Sequence, residues 1–189
     1  LRNHRKVLVV DGETAFTGGM NIGDRYLAER SENPRRVVDV HARVTGPVVH
    51  HLRRAFVEDW RWVSGETLPE IAPTTGPTGA ASCRVIADGP SEDLEKIAML
   101  LVAAISVATR RVSIMTPYFL PPRSIITALQ AAALRGVEVR VILPEKNNLP
   151  YVHWATRKML WELLGRGVRV FLQPPPFVHT KLFRIDDDY

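Results

Sequence analysis

Apolar and polar residues alternate in short runs along the first third of the chain. The run Arg5–Val10 is rich in β-branched residues and ends at Asp11-Gly12, which predicts a strand followed by a turn. Val37–Val44 alternates strictly and predicts a second strand. After Gly46-Pro47, apolar side chains recur every four residues and predict an amphipathic helix; they are Val48, Leu52, Phe56 and Trp60.

The remainder of the chain has a more regular pattern. Residues 66–82 are rich in Pro, Gly, Thr and Ala and have no period, so we predict a linker between domains at 1–65 and 83–189. In the second domain we predict strands at 84–87, 112–115, 137–143, 168–172 and 178–185, and helices from Ser91, over 123–135 and over 151–164. This alternation predicts an α/β fold with a mainly parallel sheet covered on both faces.

Composition narrows the class of protein without choosing its partner. Of 189 residues, 46% are hydrophobic and 24% are charged, which is typical of a globular protein and excludes a disordered chain. The net charge of +5 and the pI near 9.7 favour anionic partners such as phospholipid head groups or nucleic acid. A single cysteine, Cys83, excludes an internal disulfide framework. The apolar run Ile97–Ala108 is shorter than the ~20 residues of a membrane span, so we predict a buried helix there.

One motif occurs twice with the same spacing, His-x-Lys-x-x-x-x-Asp. Its residues are His4, Lys6 and Asp11 in the first copy, and His179, Lys181 and Asp186 in the second. Both copies lie in predicted strands. A lone histidine is more often structural than catalytic, but two copies with identical spacing indicate a shared site.

These residues suit displacement at a phosphodiester. A neutral imidazole can attack phosphorus to form a covalent phosphoenzyme, while a protonated imidazole delivers a proton to the departing alkoxide. Two lysines supply fixed positive charge where the phosphoryl oxygens become negative. We therefore predict chemistry that needs no metal and no cofactor.

The two motifs resemble the paired HKD motifs of the phospholipase D superfamily. The first copy is followed by Gly18-Gly19-Met20-Asn21, as in that family. The resemblance narrows to the bacterial cardiolipin synthase subgroup through Thr116-Pro117-Tyr118-Phe119, Arg135–Val139 and Leu163–Val168. It implies a phospholipase D-like fold of mixed, mainly parallel sheets flanked by helices, in two pseudo-symmetric halves. Residues 1–65 would be the end of an incomplete first half, and 83–189 the second half up to its motif.

The resemblance also implies an activity. A phosphatidyl group would pass from phosphatidylglycerol to a histidine and then to a second phosphatidylglycerol, with release of glycerol, at the bacterial cell membrane. The protein would be peripheral there or anchored by a segment upstream of Leu1. A phospholipase D-type hydrolase or a nuclease-like phosphodiesterase is the first alternative, although no interleaved aromatic and basic platform favours nucleic acid. A non-catalytic lipid-binding or scaffold protein is the second, but it predicts decay of a motif and both are intact. No oligomeric state is predicted.

The family pattern assigns a role to each matching residue. His4 is expected to be the nucleophile and His179 the acid, with Lys6 and Lys181 as the phosphate clamp. Asp11 and Asp186 are motif residues expected to act as structural partners near the site. Asn21, with Gly19 in the same stretch, is expected to bind the substrate phosphate. Asp39 is expected to orient His4 and fix its tautomer; the alternative is a solvated carboxylate on the polar face of its strand.

Other polar and aromatic residues have simpler interpretations. His41, His50, His51 and His153 have no partner at metal-ligand spacing, and Asp186–Asp188 is expected to cap a turn rather than bind a cation. Tyr118 and Phe119 follow a predicted strand and contact either acyl chains or the core. Arg35-Arg36 and Arg110-Arg111 are expected to be solvated, or to help dock anionic lipid.

The sequence begins at its first motif and ends at Tyr189, before the family's Gly-Ser-x-Asn stretch and second orienting carboxylate. We therefore expect a fragment that is inactive or barely active alone.

Overall fold

The computed structural model describes residues 3–27, 32–72, 76, 79–88 and 95–187. The chain forms two compact units, Leu1–Asn21 with Val40–Gly89, and Ile22–Asp39 with Pro90–Tyr189. These units do not follow the predicted boundaries at 65 and 83, because residues 22–39 belong with the second unit. The division into domains at 1–65 and 83–189 stays a prediction.

The elements follow one another in a fixed order. The first part of the chain contains β1 (Val7–Val10), β2 (Thr14–Gly18), a 3-10 turn (Asp24–Tyr26), β3 (Val37–Val38), β4 (His41–Thr45) and α1 (Val48–Ser64). The second part contains α2 (Lys96–Val107), β5 (Arg111–Met115), α3 (Arg123–Leu134), β6 (Glu138–Pro144), α4 (Pro150–Leu164), β7 (Arg169–Gln173), β8 (Phe177–Val178) and β9 (Leu182–Ile185). Among the described residues, no helix combines the length and the apolar character that a membrane span requires.

The first unit is a three-stranded antiparallel sheet, in the order β1-β2-β4, against which α1 packs. Ala15, Val49 and Leu52 form its buried core. The predicted helix is confirmed, but its predicted stripe is wrong beyond Leu52, because Phe56 and Trp60 are exposed and stack on each other with ring centroids 6.0 Å apart. Each four-residue step turns about 40° around a helix, so a stripe at this spacing leaves the buried face within two turns.

The predicted strand at 37–44 is two strands in two different units. β3 pairs in parallel with β8, whereas β4 pairs antiparallel with β2. The chain therefore passes from the second unit to the first between Asp39 and Val40. The strand β2 was not predicted, since its five residues contain two threonines and a glycine and have little apolar alternation.

The second unit is built on a four-stranded sheet in the order β7-β6-β5-β9. β5, β6 and β7 are parallel, as predicted, and β9 is antiparallel to β5. The predicted strand at 178–185 is interrupted at residues 179–181 and forms β8 and β9. Residues 84–87 are irregular rather than a strand, and Ser91 lies outside the described residues, which show α2 from Lys96.

One face of this sheet packs on α2, α3 and α4 through a buried apolar cluster that includes Val112, Val139 and Val141. In the described part of the chain, the opposite face of the sheet carries a charged network. Glu138 accepts hydrogen bonds from the guanidinium groups of Arg111, Arg140 and Arg169 at 2.7–3.0 Å. Arg140, and then Arg111, hold the pKa of the Glu138 carboxyl below its ordinary value.

Candidate active site

The first motif lies at the start of β1, in the first unit. Val7 and Val9 turn toward the core of that unit, which leaves Lys6, Leu8 and Val10 on the opposite face of the strand. The Lys6 Nζ donates a hydrogen bond to the carbonyl oxygen of His4 at 2.8 Å. This hydrogen bond holds the lysine side chain of the first motif against the backbone of its histidine.

The second motif joins β8 to β9, in the second unit. The Lys181 Nζ donates to the carbonyl oxygen of His179 at 2.7 Å and lies 3.1 and 3.3 Å from the Nδ1 and Nε2 ring atoms. The backbone amide of His179 donates to the carbonyl oxygen of Val38 at 2.8 Å, which extends the pairing of β3 with β8. These contacts fix the imidazole and the ammonium group at the end of one strand.

The two motifs have equivalent local structures. His179 lies 175 positions after His4, and the same offset relates β1 to β9 residue for residue. Each motif aspartate ends its strand in the left-handed region, with φ of 54° at Asp11 and 50° at Asp186. The repeat predicted from spacing is therefore also a repeat of strand bounds, turn conformation and lysine contact.

Asp39 contacts His179 within the second unit, and its predicted role in orienting His4 stays a prediction. Its Oδ2 lies 2.9 Å from the Nδ1 of His179, and its side chain is only 1% exposed. The reason is the parallel register of Val38 with Val178, which places the next residue of each strand side by side. An ionised carboxylate can only accept, so with Asp39 ionised Nδ1 carries the hydrogen, and Nε2, which lies 3.3 Å from the Lys181 Nζ, is the acceptor nitrogen of the ring.

Two aromatic rings complete the surroundings of His179. The Tyr118 ring lies edge-on to the imidazole with centroids 5.8 Å apart, and Phe177 lies at 6.1 Å. The hydroxyl of Tyr118 donates to the Oδ1 of Asn148 at 2.9 Å, which holds the ring in place. Neither contact with His179 was predicted, although the position of Tyr118 just beyond a parallel strand is one where α/β proteins place their sites.

Asp186 is a structural carboxylate. Its Oδ1 accepts the backbone amides of Arg110 and Arg111 at 2.7 Å, and its Oδ2 accepts the amide and hydroxyl of Thr109 at 3.0 and 2.8 Å. These hydrogen bonds, led by that of the Arg111 amide, hold the pKa of Asp186 far below its ordinary value. Within the described residues, the carboxylate of Asp11 accepts no hydrogen bond of this kind.

The stretch after β2 places its glycines against β4. The amide of Gly19 donates to the carbonyl oxygen of Val40 at 3.0 Å, so this amide is occupied by the backbone. At Gly18, a Cβ atom would lie 2.3 Å from the same carbonyl oxygen, so only glycine fits there. Asn21 follows directly, and its role in binding phosphate, like that of Gly19, stays a prediction.

No group of three His, Cys, Asp or Glu residues with metal-binding geometry occurs in the part of the chain that the structure describes. The predicted interpretation of Asp186–Asp188 as a turn agrees with the contacts of Asp186; Asp188 lies outside the described residues.

Several known proteins are similar to this chain in sequence or in fold. The family described as "Cardiolipin synthase, PLD-like domain" matches residues 101–189. Cardiolipin synthase A of Pseudomonas putida strain F1 is 42% identical over 188 residues, and that of Pseudomonas fluorescens strain SBW25 is 43% identical; each match covers 99% of this chain. The solved structure of phosphatidylserine synthase from Haemophilus influenzae Rd KW20 matches with a TM-score of 0.58 at 17% identity, over 97% of this chain and 52% of that one.

The α/β fold and the duplicated motif thus define a phospholipase D-like protein, and the chain resembles the phospholipase D superfamily. Within that superfamily it is similar to bacterial cardiolipin synthase A along almost its whole length. The chain spans 39% of the length of these curated relatives. The predicted family and fold class are confirmed.

Proposed function

We propose that the intact protein transfers a phosphatidyl group between phospholipids through a covalent phosphohistidine. The observation that carries the proposal is the duplicated strand, lysine contact and turn around His4 and His179, in a chain 42% identical to cardiolipin synthase A. Two imidazoles of this kind provide both a nucleophile and a proton carrier for displacement at one phosphorus.

In the first half-reaction, an imidazole nitrogen of His4 attacks the phosphorus of phosphatidylglycerol. The bond from phosphorus to the glycerol oxygen breaks, and His179 gives its Nε2 proton to that oxygen, so that glycerol leaves. In the second half-reaction, His179 takes the proton of a second phosphatidylglycerol hydroxyl, whose oxygen displaces His4 from phosphorus. The products are cardiolipin and glycerol, whereas water as acceptor would yield phosphatidic acid.

The surroundings of His179 support its assignment as the proton carrier. The buried carboxylate of Asp39 holds Nδ1 and can balance the charge of an imidazolium, which is the form that a general acid needs. Lys181 brings a fixed positive charge to the same ring, suited to the phosphoryl oxygens. His4 is then the nucleophile, and Lys6 supplies a second positive charge for the phosphoryl oxygens.

The test compares substrates on the intact protein. Vesicles of phosphatidylglycerol and, separately, single-stranded oligonucleotides are incubated with the wild type, with H179A and with a control, H51A, whose histidine is exposed on α1. We expect equal amounts of cardiolipin and glycerol from the wild type and from H51A, and neither product from H179A. Cleavage of the oligonucleotide alone would favour the nuclease-like alternative, and no reaction with either substrate would favour a scaffold.

The partner surface proposed for the protein is an anionic membrane. Support comes from the aromatic face of α4, which consists of Tyr151, Trp154 and Trp161. Both tryptophans are 70% exposed, and these residues recur at intervals of three and seven, on one side of the helix, with Lys158 between them. Tryptophan and tyrosine favour the interface between lipid and water, and basic residues are attracted to anionic head groups.

Sedimentation with vesicles tests this surface in the intact protein. The double variant W154S/W161S should bind phosphatidylglycerol vesicles about tenfold more weakly, because both indoles lose their apolar contact with lipid. The control W62S removes a tryptophan of α1 that is even more exposed, at 79%, and should bind as the wild type does. Unchanged binding by the double variant would exclude the aromatic face as the docking surface.

A further inference from the structure

An apolar groove of about 420 Å³ lies in the second unit, between α2, β9 and the segment that follows β5. Its walls include the side chains of Ile97, Leu101, Ile105, Ile114, Leu120 and Phe183. Three of these, Ile97, Leu101 and Ile105, recur every four residues, so one face of α2 lines the groove. Along the groove, the exposure of the α2 side chains falls from 39% at Ile97 to zero at Ile105.

The groove is continuous with the surroundings of His179. Lys181 and Tyr118 both line it, and both contact the imidazole: the Lys181 Nζ lies 3.3 Å from Nε2, and the Tyr118 ring centroid lies 5.8 Å from that of His179. A molecule that fills the groove would therefore bring its end to the ring nitrogen that the proposed reaction uses.

The apolar walls of the groove and the positive charge at one end of it favour one class of ligand. A positive charge at one end of an apolar channel matches an amphiphile whose anionic group is joined to a hydrocarbon chain. The volume of the groove, about 420 Å³, lies within the range of sites that hold small ligands, roughly 300–1,000 Å³. A nucleic acid would place sugars and further phosphates against these aliphatic walls and would lose their hydration without new hydrogen bonds.

We propose that this groove holds one acyl chain of the phospholipid whose phosphate reacts at His179. This inference rests on the proposed phosphatidyl transfer and adds the means by which the substrate is positioned. The acyl chain anchors the lipid through Ile97 and Leu101 on α2, and Lys181 meets its phosphate. The site then selects phospholipids by their hydrocarbon as well as by their head group.

The test varies the length of the acyl chain. The intact protein is assayed with monomeric phosphatidylglycerols from dibutanoyl to dioctanoyl, each below its critical micelle concentration, so that every methylene bound by the groove leaves water. For the wild type, kcat/KM should rise about fourfold per added methylene until the groove is filled. In I97W, the indole narrows the groove, so the ratio of kcat/KM for the long and short lipids should fall at least tenfold. The control M99W adds an indole at an exposed position of α2 outside the groove and should keep the wild-type ratio.

The outcomes of this assay distinguish a failure of the proposed acyl-chain site from a failure of the proposed phosphatidyl transfer. Turnover by the wild type with an unchanged chain-length ratio in I97W would overturn the acyl site and leave phosphatidyl transfer standing. A lower melting temperature of I97W with that unchanged ratio would show that protein covers the groove, which also overturns the proposal. No turnover of any phosphatidylglycerol by the wild type would overturn the proposed function, and the proposed occupant with it.

A second measurement needs no variant. Phosphatidylglycerol with a photoreactive diazirine at the end of one acyl chain is irradiated with the intact wild-type protein, and the labelled peptides are mapped. We expect labelling of α2 between Lys96 and Val107, reduced by an excess of unlabelled lipid. Labelling confined to other segments would overturn the proposal, even if I97W failed to fold.

Discussion

The two motifs share their local structure and differ in what surrounds them. In both, a lysine donates to the histidine carbonyl, a four-residue strand follows, and an aspartate turns the chain at positive φ. Only the second has described partners for its side chains from distant segments: Asp39, 140 positions away, on His179, and the amides of residues 109–111 on Asp186. The spacing of the motif thus specifies the strand and lysine, while orientation of the imidazole depends on contacts across the fold.

This difference is consistent with different chemical roles for the two motif histidines. An imidazole whose Nδ1 is held by a buried carboxylate presents Nε2 in a fixed direction, as proton transfer to a leaving group requires. In the proposed mechanism His179 has this task and His4 forms the bond to phosphorus. The following changes test whether the two histidines differ in this way.

The largest effects are expected from the histidines themselves. In the intact protein, H4A and H179A should each lower kcat on phosphatidylglycerol by about 10²–10⁴-fold. A phosphatidyl p-nitrophenyl ester separates them, because its leaving group departs without a proton. H179A should release a burst of one nitrophenolate per site and then stall, since it lacks the base for the second step, whereas H4A should show no burst. Stopped-flow absorbance measures this, with H51A as the control; a burst from H4A alone would reverse the assignment.

Asp39 should have the next largest effect, as a positioning residue. We expect D39N to lower kcat on phosphatidylglycerol at least about 10²-fold with little change in KM, because the neutral amide cannot balance an imidazolium. The nitrophenolate burst should survive, since it needs no acid, and the ¹⁵N NMR signals of the His179 ring should shift. Loss of the burst in D39N would mean that Asp39 acts through His4, as the sequence pattern first predicted.

The motif aspartates should differ in stability more than in catalysis. Asn also tolerates positive φ, so D11N and D186N change the carboxylate and preserve the turn. D186N keeps one carbonyl oxygen for the amides of Arg110 and Arg111 but replaces the acceptor of Thr109 with an NH2 group and removes the charge. It should lower the melting temperature of the intact protein by several degrees; D11N should lower it less. Equal losses would remove the difference between the two motifs.

The pH dependence of this loss has a definite sign. The pKa of Asp186 is lower in the folded protein than in the unfolded chain, so its contribution is complete above the ordinary Asp value of about 3.9. It is lost as the pH falls through the folded value. Thermal melts should therefore show a constant gap between wild type and D186N near neutral pH, and a shrinking gap below about pH 4. A gap that grows on acidification would contradict this account.

Local patterns predicted the regular elements of the second unit well. Parallel strands such as β6, with its apolar run, and amphipathic helices such as α3 have signals that span many residues. The failures are short elements with distant partners. β2 has five residues, and the predicted strand at 37–44 breaks because β3 pairs with β8 while β4 pairs with β2. Pairing over such separations leaves no periodic trace in the sequence.

The same reason explains what could be predicted of the site. The duplicated spacing predicted a candidate site at His4 and His179 with their lysines, because a motif is a local pattern. The partner of Asp39 could not be predicted, since it depends on the register of Val38 with Val178. The contact of Tyr118 with His179 likewise depends on how the end of β5 lies near the end of β8.

The most direct test of the account identifies the histidine that carries phosphorus. The intact protein is mixed with ³²P-labelled phosphatidylglycerol, quenched in alkali within milliseconds, and digested for peptide mapping. The account predicts an acid-labile, alkali-stable label on His4 of the wild type and no label in H4A. A label on His179, or turnover without any phosphohistidine, would contradict it.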